Sequence, residues 1–176
     1  MIIYDRQTRE KLLEIPGDIL AGQDLRQFNL RYADLSDLDL SNCNFENMDL
    51  EGAQFANSDL SGANFTNANL AEAILTRTNL SNAKLVRTKM SVTAFSYATL
   101  NSADLSEIIV DGMVNFRWIV AHGAKFKNIK NLRGANFFGA DLTDADFEGT
   151  DFLQVSESDR TNVILTRTIF EYLMRS

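Results

Sequence analysis

The stretch Ser61-Gly62-Ala63-Asn64-Phe65-Thr66-Asn67-Ala68-Asn69-Leu70 decides the fold, because it contains two copies of one five-residue unit. In each copy, two turn-forming residues precede a small residue, a polar residue and a large apolar residue. Outward from this stretch, every fifth position from 20 to 110 is apolar. The predicted core ladder includes Leu40, Phe45, Leu50, Phe55, Leu60, Phe65 and Leu70, with small residues such as Ala63 and Ala83 two positions before the large ones.

A period of five residues fits neither an α-helix nor a straight strand. On a helix, successive large residues would lie about 140° apart around the axis, so they would form no stripe. On a strand, they would alternate between opposite faces. All of them can point inward only if the chain turns a corner every five residues, and polar pairs such as Ser81-Asn82 are suited to those corners. Successive coils would then stack at about 4.8 Å.

Several runs resemble the A(D/N)LXX signature of the pentapeptide-repeat proteins, among them Ala33-Asp34-Leu35-Ser36, Ala68-Asn69-Leu70 and Gly139-Ala140-Asp141-Leu142. The resemblance extends over residues 20–170. It implies an all-β fold, a right-handed quadrilateral parallel β-helix with four pentapeptides in each coil. It also implies that residues twenty apart stack. The period alone gives neither the hand nor the number four.

The chain of 176 residues is long enough for one domain of ordinary size. We expect an N-terminal cap over 1–19, a solenoid over 20–170 and a C-terminal tail over 171–176. The repeat slips by one residue after Val110 and again before Leu132, and three extra residues stand between Phe152 and Leu165. We therefore expect irregular bulges near 111–131 and 153–161. Two stacked blocks are the alternative to one continuous domain.

The two ends of an open coil need separate elements, because they expose apolar core and unpaired backbone. At the N-terminus, apolar runs on both sides of Asp5–Glu10 suit a β-hairpin, and a short helix over 8–13 is the alternative. At the C-terminus, Phe170, Leu173 and Met174 have the spacing of one helical turn. That turn would cap the last coil or join a second subunit, so both a monomer and a homodimer are open.

Composition excludes several classes of protein. Hydrophobic residues make up 45% and charged residues 23% of the chain, which is enough apolar surface for a core and argues against disorder. The net charge of −7 argues against direct binding to nucleic acid or to an anionic membrane. The sequence has no long apolar run, no signal peptide pattern and a single cysteine, Cys43. We expect a cytoplasmic protein.

The inventory of reactive groups is thin, so we expect no catalytic residues, no cofactor and no metal. His122 is the only histidine, and Cys43 stands at an inward position equivalent to Ala63. A Cys–His hydrolase is the third and weakest hypothesis for the function. Under a four-unit coil Asp39 and Asp59 stack, and we expect each of them to accept backbone hydrogen bonds near a corner.

Charge is arranged in bands along the chain. Between positions 24 and 72, nine acidic residues stand against two basic ones, whereas basic bands follow at 77–89 and 117–133. Trp118 lies in the second band, and exposed aromatic and arginine residues are common interface anchors. The candidate interaction surface is Arg117, Trp118, His122, Lys125 and Lys127, together with Asp39 and Asp59.

Two function classes follow. The leading hypothesis is a non-enzymatic scaffold that binds an unknown protein partner through its irregular insertions and terminal elements. The resemblance implies the alternative, because some acidic pentapeptide-repeat rods resemble B-form DNA and bind DNA gyrase or topoisomerase IV. The two basic bands interrupt the negative charge that such a DNA mimic needs.

Overall fold

The computed structural model describes residues 1–15, 17 and 19–168, and it confirms the predicted right-handed quadrilateral parallel β-helix. Most rungs of the coil are single parallel bridges between residues twenty apart, such as Asn44 and Asn64. The longer elements are β1 (Ile2–Tyr4), β2 (Lys11–Glu14), β3 (Lys89–Met90), β4 (Thr93–Ala94), β5 (Ile109–Val110), β6 (Val114–Asn115) and β7 (Ala135–Asn136), followed by 3₁₀ turns at Phe152–Gln154 and Ser158–Arg160.

The corners of the coil are hydrogen-bonded turns. At one corner the backbone N–H of Ala63 donates to the carbonyl of Leu60 at 3.0 Å, and Gly62 between them has a φ of 69°. A type II turn requires a positive φ at its third residue, which glycine and asparagine adopt at the lowest cost. Asn67 has a φ of 61° at the next corner. This requirement explains why the second residue after each large apolar residue is so often Gly or Asn.

The interior is filled by the large apolar residues and the small residues two positions before them. Phe45 and Phe65 stack with their ring centroids 4.8 Å apart, which is the spacing of the coils. Phe55 meets both rings edge-on at 5.8 Å. None of the nine residues in the predicted ladder is more than 1% exposed: Leu40, Phe45, Leu50, Phe55, Leu60, Phe65, Leu70, Ala63 and Ala83.

The N-terminal segment is a β-hairpin and not a helix. Strand β1 pairs antiparallel with β2, so that Ile3 lies opposite Leu13, and both side chains are buried. The hairpin also joins the coil, because the N–H of Asp34 donates to the carbonyl of Tyr4 at 2.9 Å. It thereby extends one of the four faces. We call this the hairpin face; it consists of the stacked segments 33–36, 53–56, 73–76, 93–96, 114–117 and 135–138.

The stack continues through the phase slips. Lys89 pairs with Ile109, twenty positions on, whereas Ala94 pairs with Asn115, twenty-one positions on, so one residue is inserted between 110 and 114. The irregularity near 111–131 consists of two single inserted residues, because residues 114–129 keep the regular coil and one further residue is inserted before Leu132. The backbone at these corners absorbs a single extra residue without leaving the stack.

The insertion near 153–161 is larger. Asp141 pairs with Ile164, twenty-three positions on, and the three extra residues are accommodated where the two 3₁₀ turns lie. Asp151 caps the first of these turns by accepting a hydrogen bond from the N–H of Leu153 at 3.0 Å. The predictions for Phe170, for the helical turn at Leu173 and for the tail 171–176 lie outside the described residues.

Candidate interaction surface

The corner that follows the hairpin face carries a strip of aromatic and arginine side chains, which we call the aromatic edge. Its members occupy the two turn positions after four buried residues that stack on one another, so the exposed residues stack as well, at about 4.8 Å per coil. All of them are exposed except the last, which is half-buried. The aromatic edge comprises Arg77, Tyr97, Arg117, Trp118 and Phe138.

The members of the aromatic edge contact one another from coil to coil. The guanidinium of Arg117 lies over the ring of Phe138, 5.1 Å from its centroid, and the ring of Trp118 meets Phe138 at 5.3 Å and 78°. Two coils earlier in the strip, the guanidinium of Arg77 lies 5.9 Å from the centroid of Tyr97. Cation–π and edge-to-face contacts of this kind are favourable and hold the rings in place.

Trp118 is held by the coil below it. Its side chain is 40% exposed. Its φ of 59° matches those of Arg77 and Tyr97 at the same corner, so Trp118 occupies a regular corner position and not an irregular loop. The next residue in its column is Gly139, where a Cβ would lie 2.3 Å from the indole ring. The absence of a side chain at position 139 therefore creates the space in which the indole packs.

The aromatic edge differs electrostatically from the rest of the protein. The stacked segments 74–79, 94–99, 115–120 and 136–140 contain no aspartate or glutamate, although the chain has 24 acidic residues. Among the described residues, no carboxylate lies within 4.0 Å of Arg77 or Arg117, whereas five other arginines form ion pairs within that distance: Arg26, Arg31, Arg87, Arg160 and Arg167. The edge is thus a positive, aromatic strip on an acidic protein.

Both lysines of the predicted surface lie on other sides of the coil and form ion pairs. Lys127 Nζ lies 2.7 Å from a carboxylate oxygen of Asp146 and 2.9 Å from one of Glu148, and hydrogen bonds to these two groups raise its pKa. Lys125 Nζ lies 3.7 Å from Asp104. The predicted second basic band is therefore neutralised in part by acidic residues of the adjacent coils.

His122 stands at the next corner after the aromatic edge. Its Nε2 lies 2.8 Å from Oδ2 of Asp141, and its imidazole is about half exposed. Partial burial acts to raise the pKa of Asp141, but hydrogen bonds from Thr143 and His122 outweigh this effect, so the pKa is lowered. Of the five cationic, aromatic and imidazole residues that the sequence nominates, the structure brings only Arg117 and Trp118 together.

Asp39 and Asp59 lie on the face beyond the aromatic edge, near the N-terminal end, and serve the backbone. They pair in adjacent coils, and each accepts a hydrogen bond from the N–H two residues on, from Ser41 at 3.0 Å and from Ser61 at 2.9 Å. The side-chain amide of Asn79 donates to Asp59 at 3.1 Å. Hydrogen bonds from Ser41 lower the pKa of Asp39. These carboxylates fix corners, as predicted, and the structure assigns them no contact with the aromatic edge.

Cys43 is part of the core. It is 0% exposed, its Sγ donates to the carbonyl of Leu20 at 3.0 Å, and burial raises the pKa of its thiol. His122 is four coils further along the stack, which corresponds to roughly 19 Å. The two residues cannot form a nucleophile–base pair at hydrogen-bond distance.

The sequence analysis missed Arg77, Tyr97 and Phe138. Their signal is present in the sequence, because Arg77 and Tyr97 share a corner column with Trp118, and Phe138 shares the adjacent column with Arg117. The two columns emerge only when the repeat is written in stacked coils with the inserted residues in place. Within residues 1–15, 17 and 19–168, no group of three or more His, Cys, Asp and Glu side chains is arranged to hold a metal ion. The same part of the chain contains no helix long and apolar enough to cross a bilayer.

Comparison with protein families gives a match to the model described as pentapeptide repeats, with eight copies. The matched residues are 19–47, 48–85, 73–110 and 115–154, which together cover most of the chain and include the aromatic edge. No curated protein sequence shows significant similarity to this chain.

Solved structures with a similar fold include three bacterial proteins. HetL, a pentapeptide-repeat protein involved in heterocyst differentiation regulation in the cyanobacterium Nostoc sp. strain PCC 7120, is 22% identical over 85% of this chain and 86% of its own, with a TM-score of 0.50. QnrB1, a plasmid-mediated fluoroquinolone resistance protein studied as a trypsin-treated variant, is 18% identical over 84% of both chains, with a TM-score of 0.47. Rfr23 from the cyanobacterium Cyanothece 51142 is 25% identical over 72% of this chain and 63% of its own, with a TM-score of 0.37. At these identities the first likeness concerns the fold alone, and the other two carry no functional argument.

Proposed function

The chain belongs to the pentapeptide-repeat family, and from this premise we propose that it is a non-enzymatic scaffold that binds another protein through the aromatic edge. Proteins of this family are generally structural or interaction scaffolds. The filled interior supports the same proposal, because the large buried side chains pack against one another and leave no room for a substrate between them. Recognition then has to occur on the outer surface.

The observation that carries the proposal is the exposed cluster of Trp118, Arg117 and Phe138 on a regular corner of the coil. Tryptophan, arginine and other large aromatic side chains supply most of the binding energy at protein interfaces. Here they are held against one another on a rigid stack, so little side-chain entropy remains to be lost when a partner binds. Their location on a regular corner replaces the irregular insertion as the centre of the proposed surface.

A capture experiment with the full chain as bait tests this proposal. Bait proteins carrying Trp118→Ala and Phe138→Ala are compared with the unaltered chain in native lysate. The matched control is Ile109→Ala, which removes an apolar side chain that is 49% exposed on a different face. A lost interface anchor costs about 2 kcal/mol or more, so we expect capture to fall roughly 30-fold for the edge variants and not for the control.

Equal recovery of a partner by all four baits would exclude the aromatic edge as the binding surface. Leu153→Ala, which alters an exposed side chain in the 153–161 insertion, then tests the other surface that the sequence nominates. A loss confined to that variant would place recognition at the insertion.

Binding to a type II topoisomerase is the alternative function. Its support is the acidic N-terminal part, where nine acidic residues stand against two basic ones between positions 24 and 72. The positive aromatic edge and the paired lysines further along the coil weigh against a continuous negative rod. A gyrase supercoiling assay separates the two functions, since a DNA mimic inhibits or protects the enzyme at micromolar protein and a scaffold of the proposed kind does neither.

A cytoplasmic location is part of the proposal and is tested by cell fractionation with an antibody to the protein. The oligomeric state, a monomer or a homodimer through a terminal element, is tested by light scattering of the purified chain. Neither outcome changes the residues assigned to the aromatic edge.

A further inference from the structure

We infer that the aromatic edge binds an extended acidic segment of its partner, in which carboxylates about 10 Å apart flank an apolar side chain. The inference rests on the proposed function and adds the chemistry of the partner to it. Three features of the edge lead to this inference: its positive charge, the stacking of its two arginines on aromatic rings, and the distance between the two arginines.

Charge complementarity gives the sign of the partner's charge. Arg77 and Arg117 are the only charged residues in the four stacked segments that form the edge and its immediate flanks, 74–79, 94–99, 115–120 and 136–140. The surrounding carboxylates mark the limits of this positive strip. Glu72 and Asp111 stand at the opposite corner of the hairpin face, and Asp141 begins the acidic C-terminal part. A partner that follows the strip along the solenoid axis gains from negative charge beside Arg77 and Arg117, whereas Asp159, which lines the same groove as Arg117, disfavours negative charge at the C-terminal end of that groove.

The two arginines are oriented so that they can bind carboxylates. Each guanidinium lies over an aromatic ring, Arg77 over Tyr97 and Arg117 over Phe138. Stacking uses the face of a guanidinium and leaves the N–H groups at its edge free, and this edge matches a carboxylate in bidentate geometry. Because neither arginine has a carboxylate within 4.0 Å among the described residues, a partner does not have to displace one.

The spacing of the arginines gives the spacing of the partner's carboxylates. Arg77 and Arg117 are two coils apart, which is about 10 Å along the axis. An extended peptide in the polyproline II conformation rises about 3.1 Å per residue with three residues per turn, so acidic residues three positions apart lie on one side of it and match the two guanidiniums. Tyr97 stands in the intervening coil and is 56% exposed. The ring of Tyr97 offers its surface to an apolar side chain between the two carboxylates.

Between Arg77 and Arg117 the hairpin face beside the edge supplies an uncharged floor. Its middle column there is Ile74, Ala94 and Asn115, all half-buried, and the same column continues through Asn136 to the carboxylate of Asp159. Along its far border, Val92 is 57% and Met113 is 70% exposed. An extended chain that lies on this floor meets apolar and neutral polar groups, while its acidic side chains reach the arginines at the border.

Selection from a displayed library of random dodecapeptides tests the inference. The full-length chain is the target, and the double variant Arg77→Gln/Arg117→Gln is used for counter-selection. We expect the enriched peptides to carry two acidic residues three positions apart with an aromatic or aliphatic residue between them. Trp118 is the only tryptophan, so its fluorescence measures the affinity of an enriched peptide directly.

The control variant is Arg87→Gln. Arg87 occupies the same turn position as Arg77, with a φ of 56° against 59°, at the diagonally opposite corner, and its guanidinium lies 4.0 Å from Glu107. We expect affinity for an enriched peptide to fall at least 10-fold in each single variant of Arg77 and Arg117, and to stay within about twofold in Arg87→Gln. A far-ultraviolet circular dichroism melt of every variant shows that the coil is intact.

Enriched peptides with no more acidic residues than the starting library would overturn the inference, as would a failure to recover any peptide that depends on the two arginines. Either result is distinguishable from failure of the proposed function. If Trp118→Ala abolishes capture of a protein from lysate but the selected peptides are not acidic, the edge is an interaction surface whose partner has a different chemistry.

Discussion

Substitution of Gly139 by alanine tests whether the coil below Trp118 holds the indole in place. The new Cβ would lie 2.3, 2.4 and 2.7 Å from three carbon atoms of the indole ring. Carbon atoms in van der Waals contact are about 3.5–4.0 Å apart, so the ring has to move by roughly 1 Å or more. Movement of the ring disrupts its packing on the coil and its edge-to-face contact with Phe138.

The matched control is Gly123→Ala. Gly123 has a φ of 64° against 68° for Gly139, but an added Cβ there meets only the hydroxyl oxygen of Ser102 at 3.9 Å. Both substitutions place alanine at a positive φ, which costs about 1–2 kcal/mol. The difference between the two variants therefore isolates the displacement of Trp118.

The magnitude of that difference follows from two contributions. The aromatic contact with Phe138 is worth about 0.5–1.5 kcal/mol. The indole is 40% exposed in the unaltered protein. If its displacement exposes a further ~50 Å² of apolar surface, the free energy of unfolding falls by about 1 kcal/mol at ~25 cal/mol per Å². We expect Gly139→Ala to be about 2 kcal/mol less stable than Gly123→Ala.

Urea unfolding followed by circular dichroism measures the stability difference, and acrylamide quenching of the single tryptophan measures the exposure of Trp118 in the folded state. We expect stronger quenching in Gly139→Ala and unchanged quenching in Gly123→Ala. Equal stability and equal quenching in the two variants would refute the assignment of Gly139 as the support of Trp118.

Three further predictions concern the core, pH and the thiol. Phe116→Ala removes a ring that is stacked between Phe95 and Phe137 at centroid distances of 5.1 and 4.9 Å. We expect urea unfolding to show a free energy of unfolding lower by about 3–5 kcal/mol, a larger loss than for the half-buried Phe138→Ala. Similar losses for both variants would show that the interior is not close-packed. Hydrogen bonds from Ser41 lower the pKa of Asp39, so its contribution to stability is present above the unfolded pKa of about 3.9 and is lost as the pH falls through the lower folded pKa. The urea midpoint of unfolding should therefore decline over this acid range, and it should decline less steeply in Asp39→Asn. Identical pH slopes for the two proteins would contradict the assignment. Cys43 is buried and its pKa is raised, so a thiol reagent should modify it only after unfolding, and fast modification of the folded chain would place it outside the core.

The period of five predicts the inward ladder and the corners because both follow from one constraint, the burial of Leu and Phe at an odd interval. The stacking of residues twenty apart came from the resemblance, and the pairing of Asp39 with Asp59 agrees with it. The N-terminal hairpin could not be chosen over a helix from the sequence, because the choice depends on hydrogen bonds between Tyr4 and Asp34 that only the assembled coil provides.

A strict interval of twenty does not predict the aromatic edge, because the edge depends on where each inserted residue is accommodated. Read at a strict interval of twenty, Tyr97 stacks on Arg117, whereas the insertion between 110 and 114 places Trp118 in that column. The same insertion places Lys125 beside Asp104, and the second insertion, before Leu132, places Lys127 beside Asp146, so an apparent basic band becomes ion pairs. One residue of register thus decides which charges are neutralised and which remain available.

The net charge of −7 therefore does not give the sign of the charge that a protein partner meets at the aromatic edge, because electrostatic recognition is local. At physiological ionic strength the screening length is about 8 Å, less than the height of two coils. A partner at the aromatic edge experiences Arg77 and Arg117 and only weakly the acidic residues of distant coils. Since the rigid stack fixes both guanidiniums on their rings, the edge presents a constant positive pattern, whereas a DNA mimic needs one sign along its whole length.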